Sequence, residues 1–210
     1  VATVRNARGE IYPSPLRAAI IAEKSGAHSV TIHLREDRRH INDLDLKEIK
    51  SKLNIPLNLE IAATKEMLSI VPEKRKEVTT EGGLNLNYKK SFLKKIISKL
   101  KKNGSRISLF IEPKIKDIKI SKELDVDCIE FHTGKICNLI NKNKSYKSEF
   151  KKITAAVNFA HNLGLEVHAG HGLTYHSAKI ISKIKKIKEF NIGHFLVGES
   201  IYIGLKNLRK

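Results

Sequence analysis

The chain has 210 residues and carries 40 Lys and Arg against 22 Asp and Glu, which gives a formal net charge of +18. Its length suits one domain with a sizeable core. Hydrophobic residues make up 40% and charged residues 30%, which excludes a disordered chain, and no apolar run approaches the roughly 20 residues of a membrane-spanning helix. Only Cys128 and Cys137 are present, so a disulfide scaffold is excluded and a cytoplasmic protein is expected.

Short apolar runs alternate with helix-period stretches along the whole chain. Six runs have the length and the β-branched or aromatic content of strands: residues 29–34, 57–62, 107–112, 128–133, 166–171 and 191–198. Helices are predicted between them at residues 14–26, 88–103, 149–162 and 175–188. The first of these begins with Ser14-Pro15, an N-cap followed by proline. No linker or change of composition divides residues 1–210, so we expect a single domain.

Strand–helix alternation predicts a parallel sheet, which is either an open doubly wound sheet or a closed barrel. Acidic residues and histidines lie at the C-terminal side of nearly every predicted strand: His33, Glu60, Glu112, Glu130, His132, His171 and His194. An open sheet gathers its ligands at one switch point, whereas a barrel collects side chains from every strand. The pattern therefore favours a (β/α)₈ TIM barrel.

Three features of this pattern indicate chemistry. Glu60 alternates with apolar neighbours and so faces the barrel interior, where an unpaired carboxylate is costly. Residues 33–40 hold three arginines and two histidines directly after a strand, which suits the binding of phosphate or carboxylate. The glycine-flanked histidines His171 and His194 follow the last strands, where barrel loops commonly bind anions.

Eight sequence blocks, spread over nearly the whole chain, resemble the pyridoxine 5′-phosphate synthase family and follow one another in the family's order. The blocks are residues 3–9, 33–40, 58–60, 71–75, 79–83, 132–134, 169–176 and 191–194. The resemblance implies a (β/α)₈ barrel that condenses 1-deoxy-D-xylulose 5-phosphate with 3-amino-2-oxopropyl phosphate. The implied products are pyridoxine 5′-phosphate, inorganic phosphate and water.

The resemblance also implies a role for individual residues. His33 and Glu60 match the proton acceptors of the family, His171 matches its proton donor, and Glu130 matches a carboxylate that stabilises charge. Substrate binding is implied for Arg8, Arg35, His40, Thr79, Gly172, Gly193 and His194. No metal or organic cofactor is expected, and the partners are two small phosphorylated substrates, with no nucleic acid and no membrane. The family further implies a homo-octamer.

Two departures from the family pattern concern the strands. A first strand would precede Val1, and around ten residues between Ile70 and Val71, enough to complete a helix and a strand, have no counterpart. We therefore expect the first strand and one middle strand to be missing from the given sequence, because the real polypeptide holds residues that this sequence omits. A decayed copy without turnover is the alternative. The polar segment 71–86 is a candidate lid over bound substrates.

Two other functions compete with this prediction. A net charge of +18 is also typical of a nucleic-acid-binding protein, although aromatic residues are only 6% and many lysines lie opposite the apolar stripes of helices. Another phosphate-handling barrel, such as a Schiff-base aldolase, would need a lysine inside a strand, and none of the six runs has one there.

Overall fold

Parallel strands follow one another in space in the order in which they occur along the chain. The computed structural model describes residues 1–64, 76–78, 86 and 90–207. Within these residues the sheet consists of β1 (Val30–His33), β2 (Leu57–Ile61), β3 (Lys76–Val78), β4 (Ile107–Ile111), β5 (Cys128–His132), β6 (Glu166–Gly170) and β7 (Ile187–Asn191). Every neighbouring pair is parallel. An uninterrupted order without a switch point is typical of a TIM barrel and not of a doubly wound sheet.

Helices precede, connect and follow these strands. They are α1 (Ala2–Asn6), α2 (Pro15–Lys24), α3 (Asp43–Lys52), α4 (Lys90–Lys102), α5 (Ile115–Glu123), α6 (Gly134–Asn141), α7 (Lys147–Asn162), α8 (Tyr175–Ile181) and α9 (His194–Ile203), with a short 3₁₀ helix at Leu205–Asn207. The predicted N-cap is confirmed, because the Ser14 side chain accepts a hydrogen bond from the backbone N–H of Arg17. No helix in the described part of the chain combines the length and the hydropathy needed to cross a bilayer.

The prediction for the last strand is wrong. The structure places β7 at Ile187–Asn191 and folds most of the predicted run 191–198 into α9. The isoleucines at positions 180, 181, 184 and 187 fit one helix face, but α8 ends at Ile181 and Ile187 belongs to the strand. A short apolar run fits a strand and a buried helix equally well, so periodicity alone did not separate them.

The sheet holds a short strand where we expected a middle strand to be missing. β3 has three residues and pairs with both β2 and β4. The sequence analysis did not predict a strand at residues 76–78. Thr79 and most of the candidate lid lie outside the described residues.

Buried apolar side chains of the described residues form two clusters. The larger one joins β4, β5 and β6 to the helices that surround them, and it includes the fully buried Leu109, Ile129 and Phe131. The smaller one joins β1 and β2 to α2 and α3 through Leu59 and Ile49. In both, alternate strand residues face the helices, so the residues between them face the interior of the sheet.

Candidate active site

The C-terminal ends of β1 and β2 bring two predicted catalytic residues together. His33 and Glu60 are register partners, and His33 Nδ1 lies 3.6 Å from Glu60 Oε2. Their flanking residues Ile32, Leu59 and Ile61 pack into the smaller apolar cluster, which directs His33 and Glu60 to the interior face. The two side chains keep 27% and 21% of their surface exposed. An imidazole beside a carboxylate that solvent can reach is suited to accepting a proton from a bound molecule.

Glu130 lies in the middle of the sheet and is 3% exposed. Asn191 of β7 donates a hydrogen bond from Nδ2 to Glu130 Oε2 over 2.7 Å. The other oxygen, Oε1, lies against Gly170 of β6, where an added Cβ would come within 1.7 Å of it. A buried carboxylate needs such partners, because leaving it unpaired in a low-dielectric interior is costly. Any larger residue at position 170 would therefore force the Glu130 carboxylate to move.

His171 follows β6 in an unusual backbone conformation. Its φ is +74°, in the left-handed region that residues other than glycine rarely adopt. Thr133 anchors the peptide, since its Oγ1 lies 2.7 Å from the carbonyl oxygen of Gly170 and 2.9 Å from that of His171. Gly172 continues the turn with φ +79°, and its Cα faces Cys137 and Gly134 so closely that a Cβ would lie 3.3 Å from each. The loop thus holds the imidazole in one place at the cost of backbone strain.

A second histidine lies beside His171. The rings of His132 and His171 have centroids 4.5 Å apart, and His132 Nδ1 lies 3.0 Å from Glu112 Oε1. Partial burial, and after it the charge of His132, lowers the pKa of His171 below its ordinary value of 6.5. Gly134 leaves room for both rings, because a Cβ there would lie 3.0 Å from each. The lowered pKa favours the neutral form of the His171 ring near neutral pH and makes its protonated form a stronger acid.

The basic loop after β1 lies between α1 and α3. His40 Nδ1 is 2.9 Å from the Thr3 hydroxyl, and the Asn6 amide donates to the carbonyl oxygens of Arg39 and His40. Burial is the main cause that lowers the pKa of His40, followed by the charges of Arg39 and Arg35. Arg35 Nε lies 3.8 Å from Asp37 Oδ1, and its side chain is 23% exposed. The loop therefore presents fixed positive charge next to His33.

Three further predicted binding residues lie in exposed positions. Arg8 follows α1, and Gly193 and His194 form the N-cap and first residue of α9, directly after β7. No atom lies within 4 Å of a Cβ added to Gly193, so its backbone is open to approach. Bare N–H groups at the start of a helix favour an anion.

The structure places the predicted catalytic residues in two parts of the sheet. His33 and Glu60 lie side by side at the C-terminal ends of β1 and β2, whereas Glu130 lies on the interior face of β5 and His171 follows β6. The predicted set did not include the pair Glu112 and His132, or Thr31 and Asn191. The alternation that selected Glu60 also selects these residues. Each one occupies an interior-facing position of a strand, or the next interior-facing position directly after the strand. No group of three His, Cys, Asp or Glu suited to a metal ion is found among the described residues.

Solved structures of other proteins share this architecture. Phosphoribosyl anthranilate isomerase from Thermus thermophilus superposes with a TM-score of 0.58 at 10% identity, covering 85% of this chain and 82% of that one. The YdjI aldolase from Escherichia coli K12 superposes with a TM-score of 0.56 at 12% identity, covering 92% and 80%. At such low identity these likenesses concern the fold alone. The fold and the polar strand ends define a TIM-barrel-like α/β protein with acidic residues and histidines on the interior face and at the C-terminal edge of its sheet.

Sequence comparison gives the family. Residues 1–208 match the family described as "Pyridoxal phosphate biosynthesis protein PdxJ", and the chain belongs to it. It is 57% identical over 217 aligned positions to pyridoxine 5′-phosphate synthase of Pelagibacter ubique (strain HTCC1062), covering 98% of this chain and 91% of the relative. Identity to the synthase of Zymomonas mobilis subsp. mobilis (strain ATCC 31821 / ZM4 / CP4) is 49%, covering 98% and 84%.

The length of these alignments bears on the expected gap. The 217 aligned positions exceed the 210 residues of the chain, so several positions of the relatives have no counterpart here. Where along the chain these positions fall is not given by the alignment lengths, so the expected gap between Ile70 and Val71 stays a prediction.

Proposed function

We propose that the protein forms pyridoxine 5′-phosphate, as its relatives' names indicate, by condensing 1-deoxy-D-xylulose 5-phosphate with 3-amino-2-oxopropyl phosphate, the two substrates that the family resemblance implies. The observation that carries the proposal is the placement of His33 beside Glu60, with Glu130 on the interior face of β5 and His171 directly after β6, in a member of this family. We propose that residues 1–210 act as one barrel domain, and that the protein is cytoplasmic and assembles as a homo-octamer.

The proposed reaction needs several proton transfers within one site. Forming an imine, enolising it, losing water and closing the ring each move a proton between heavy atoms. His33 and Glu60 accept protons in this proposal, since the 3.6 Å contact lets the carboxylate stabilise a charged imidazole. His171 is proposed to donate a proton to a leaving oxygen, as the family resemblance implies; its lowered pKa makes the protonated ring a stronger acid but a less populated one near neutral pH.

Glu130 is proposed to stabilise positive charge. An iminium or protonated amine forms during the condensation, and a buried carboxylate interacts more strongly with it than one in water would. The 3% exposure of Glu130 supplies that environment.

Each substrate carries a phosphate, and the positive groups are proposed to bind them. Arg8, Arg35 and His40 supply charge and donors from the N-terminal part of the chain. Gly172, Gly193 and His194 supply backbone N–H groups and an imidazole after β6 and β7. Thr79, outside the described residues, is proposed to bind substrate as well.

An assay with both phosphorylated substrates tests the proposal. Glu60→Gln keeps the shape of the side chain but removes the base, and we expect it to lower kcat by about 10²–10⁴-fold. Glu48→Gln is the matched control, because Glu48 is exposed on α3. Circular dichroism reports whether each variant folds. Undiminished turnover by Glu60→Gln would contradict the role of Glu60, and no turnover by the wild type would favour a decayed copy.

A further inference from the structure

A line of hydrogen bonds crosses the interior of the sheet from β2 to β5. Asn58 Nδ2 donates to Thr31 Oγ1 over 3.4 Å, and Thr31 Oγ1 donates to Asn191 Oδ1 over 3.0 Å. Asn191 Nδ2 then donates to Glu130 Oε2 over 2.7 Å. We name these four residues the Asn58–Glu130 chain. It joins β1 to β7, the two ends of the strand order, through side chains.

All the hydrogen bonds of the Asn58–Glu130 chain can form with only one assignment of donors and acceptors. An ionised carboxylate only accepts, so Asn191 must present its NH₂ group to Glu130 and its oxygen to Thr31. The Thr31 hydroxyl must then donate to that oxygen, which leaves its own oxygen free to accept from the Asn58 amide. An amide side chain has nearly the same shape when it is rotated by 180°, so neighbouring donors and acceptors set its orientation.

Thr31 is the member that sets this orientation from the far side. If the Thr31 hydroxyl is removed, the Asn191 oxygen loses its donor within the Asn58–Glu130 chain. The Asn191 amide could then rotate, which would place its oxygen against the Glu130 carboxylate. Gly170 limits any movement of Glu130 in response, because its Cα lies directly beneath Oε1. The carboxylate is therefore fixed by contact with Gly170 on one side and by the amide on the other.

We propose that Thr31 and Asn191 are positioning residues that direct the Glu130 carboxylate during turnover. The proposal rests on the role given to Glu130 in the proposed function. Neither residue needs to touch substrate: Asn191 holds Glu130, and Thr31 holds Asn191. Through the Asn58–Glu130 chain, Thr31 of β1 influences the geometry of Glu130 of β5. β1 is also the strand that carries His33.

Thr31→Val tests the proposal, because valine keeps the branched shape and removes the hydroxyl. We expect kcat to fall about tenfold, which corresponds to the loss of roughly one hydrogen bond between neutral groups. The KM values for both substrates should change less than twofold, since no binding residue is altered. Thr31→Ser, which keeps the hydroxyl, should recover most of the lost kcat. Thr154→Val is the matched control, because the Thr154 hydroxyl bonds only the Phe150 carbonyl within α7.

A double-mutant cycle with Glu130→Gln separates positioning from general damage. If Thr31 acts through Glu130, Thr31→Val should lower kcat in the wild type and have no further effect in the Glu130→Gln background. An equal loss in both backgrounds would overturn the proposal, since it would show a structural effect independent of Glu130. Should Thr31→Val fail to fold, Thr31→Ala and Thr31→Ser form a second pair that differs by the hydroxyl.

The outcomes also separate this proposal from the proposed function. If Glu130→Gln lowers kcat and Thr31→Val retains the wild-type kcat, the positioning role is overturned while the role of Glu130 stands. If Glu130→Gln itself turns over as fast as the wild type, the role of Glu130 and the positioning role that depends on it both fail.

Discussion

The region around β4–β6 and the region around β1 and β2 are built differently. In the first, the strands pack against their helices through a large apolar cluster, and four of the five residues of β5 are buried. In the second, the apolar cluster is smaller and β1 has one buried residue in four. Each region carries half of the candidate site: Glu130 and His171 in the first, His33 and Glu60 in the second.

The difference shows which contacts fix the side chains of the candidate site in each region. Apolar packing fixes the first region, because every buried side chain there has many partners. In the second region, polar contacts supplement the smaller apolar cluster through the pairing of Arg5 with Asp45 and through the hydrogen bonds of Thr31. Mutations that remove apolar volume and mutations that remove polar contacts should therefore act unequally on the two halves.

The largest expected effect is on the apolar side of this comparison. Phe131→Ala removes a fully buried ring from the larger cluster, and we expect the free energy of unfolding to fall by about 3–5 kcal/mol. Leu59→Ala, in the smaller cluster, should cost about 2–3 kcal/mol, at the lower end of the range for such changes. Chemical denaturation measures both values. A greater loss for Leu59→Ala would reverse the ranking of the two regions.

The next effect concerns the polar contacts of the second region. Arg5 binds Asp45 through two hydrogen bonds of 2.5 and 2.8 Å, and Asp45 also completes the capping box of α3 with Asn42. Asp45→Asn should lower the free energy of unfolding by about 1.5–3 kcal/mol at pH 7. Asp43→Asn, on the same turn but less buried, is the control and should cost less.

The same pair predicts a pH dependence. Burial raises the pKa of Asp45, but hydrogen bonds from Arg5 and Asn42 outweigh it, so the folded-state pKa lies below the ordinary value of 3.8. The stabilisation is therefore present above that ordinary value and is lost as the pH falls through the folded-state pKa. Unfolding curves from pH 7 to pH 2 should show the wild type and Asp45→Asn converging below about pH 4. A constant difference across that range would contradict the assignment.

Gly170→Ala should damage the site by crowding Glu130. The added Cβ would lie 1.7 Å from Oε1, so the carboxylate must move, and we expect a stability cost of about 1–3 kcal/mol together with lower turnover. Gly198→Ala in α9 is the control, since nothing lies within 4 Å of its added Cβ. Turnover of Gly170→Ala at the wild-type rate would show that the position of Glu130 is unimportant.

The smallest expected effect is a change in one pKa. His132→Asn removes a positive charge beside His171 but keeps a polar side chain, so the pKa of His171 should rise toward its ordinary value. Burial, the larger cause of the lowering, is retained, and the rise should therefore be partial. An NMR titration of the His171 ring measures it. His161→Asn, exposed at the end of α7, should leave that pKa unchanged.

Sequence patterns predicted most strands because β-branched residues and alternation give a local signal. The strands at residues 30–33, 57–61, 107–111, 128–132 and 166–170 all lie inside predicted runs. β7 was missed because its isoleucine continued the helical spacing of α8, and β3 because three residues are too few for a pattern. The local sequence does not show whether the tertiary fold uses the spacing of a helix or that of a strand.

The candidate site was predictable where position along a strand decides it. Glu60 was selected by alternation and Glu130 by its place in a predicted strand and by the family resemblance, and the structure places both on the interior face. The bond between Thr31 and Asn191 was not predictable, since it joins residues 160 positions apart and depends on the register of the whole sheet. The clash that requires glycine at position 170 depends on the same register.

The Asn58–Glu130 chain has a consequence for how acidity affects the enzyme. Its three donors are two amides and a hydroxyl, none of which gains or loses a proton between about pH 2 and pH 12. The support of Glu130 therefore stays the same in mild acid and mild base, while the imidazoles around it change charge. In mild acid and mild base, a variation of turnover is therefore expected to arise from titrating groups and not from a change in these three donors.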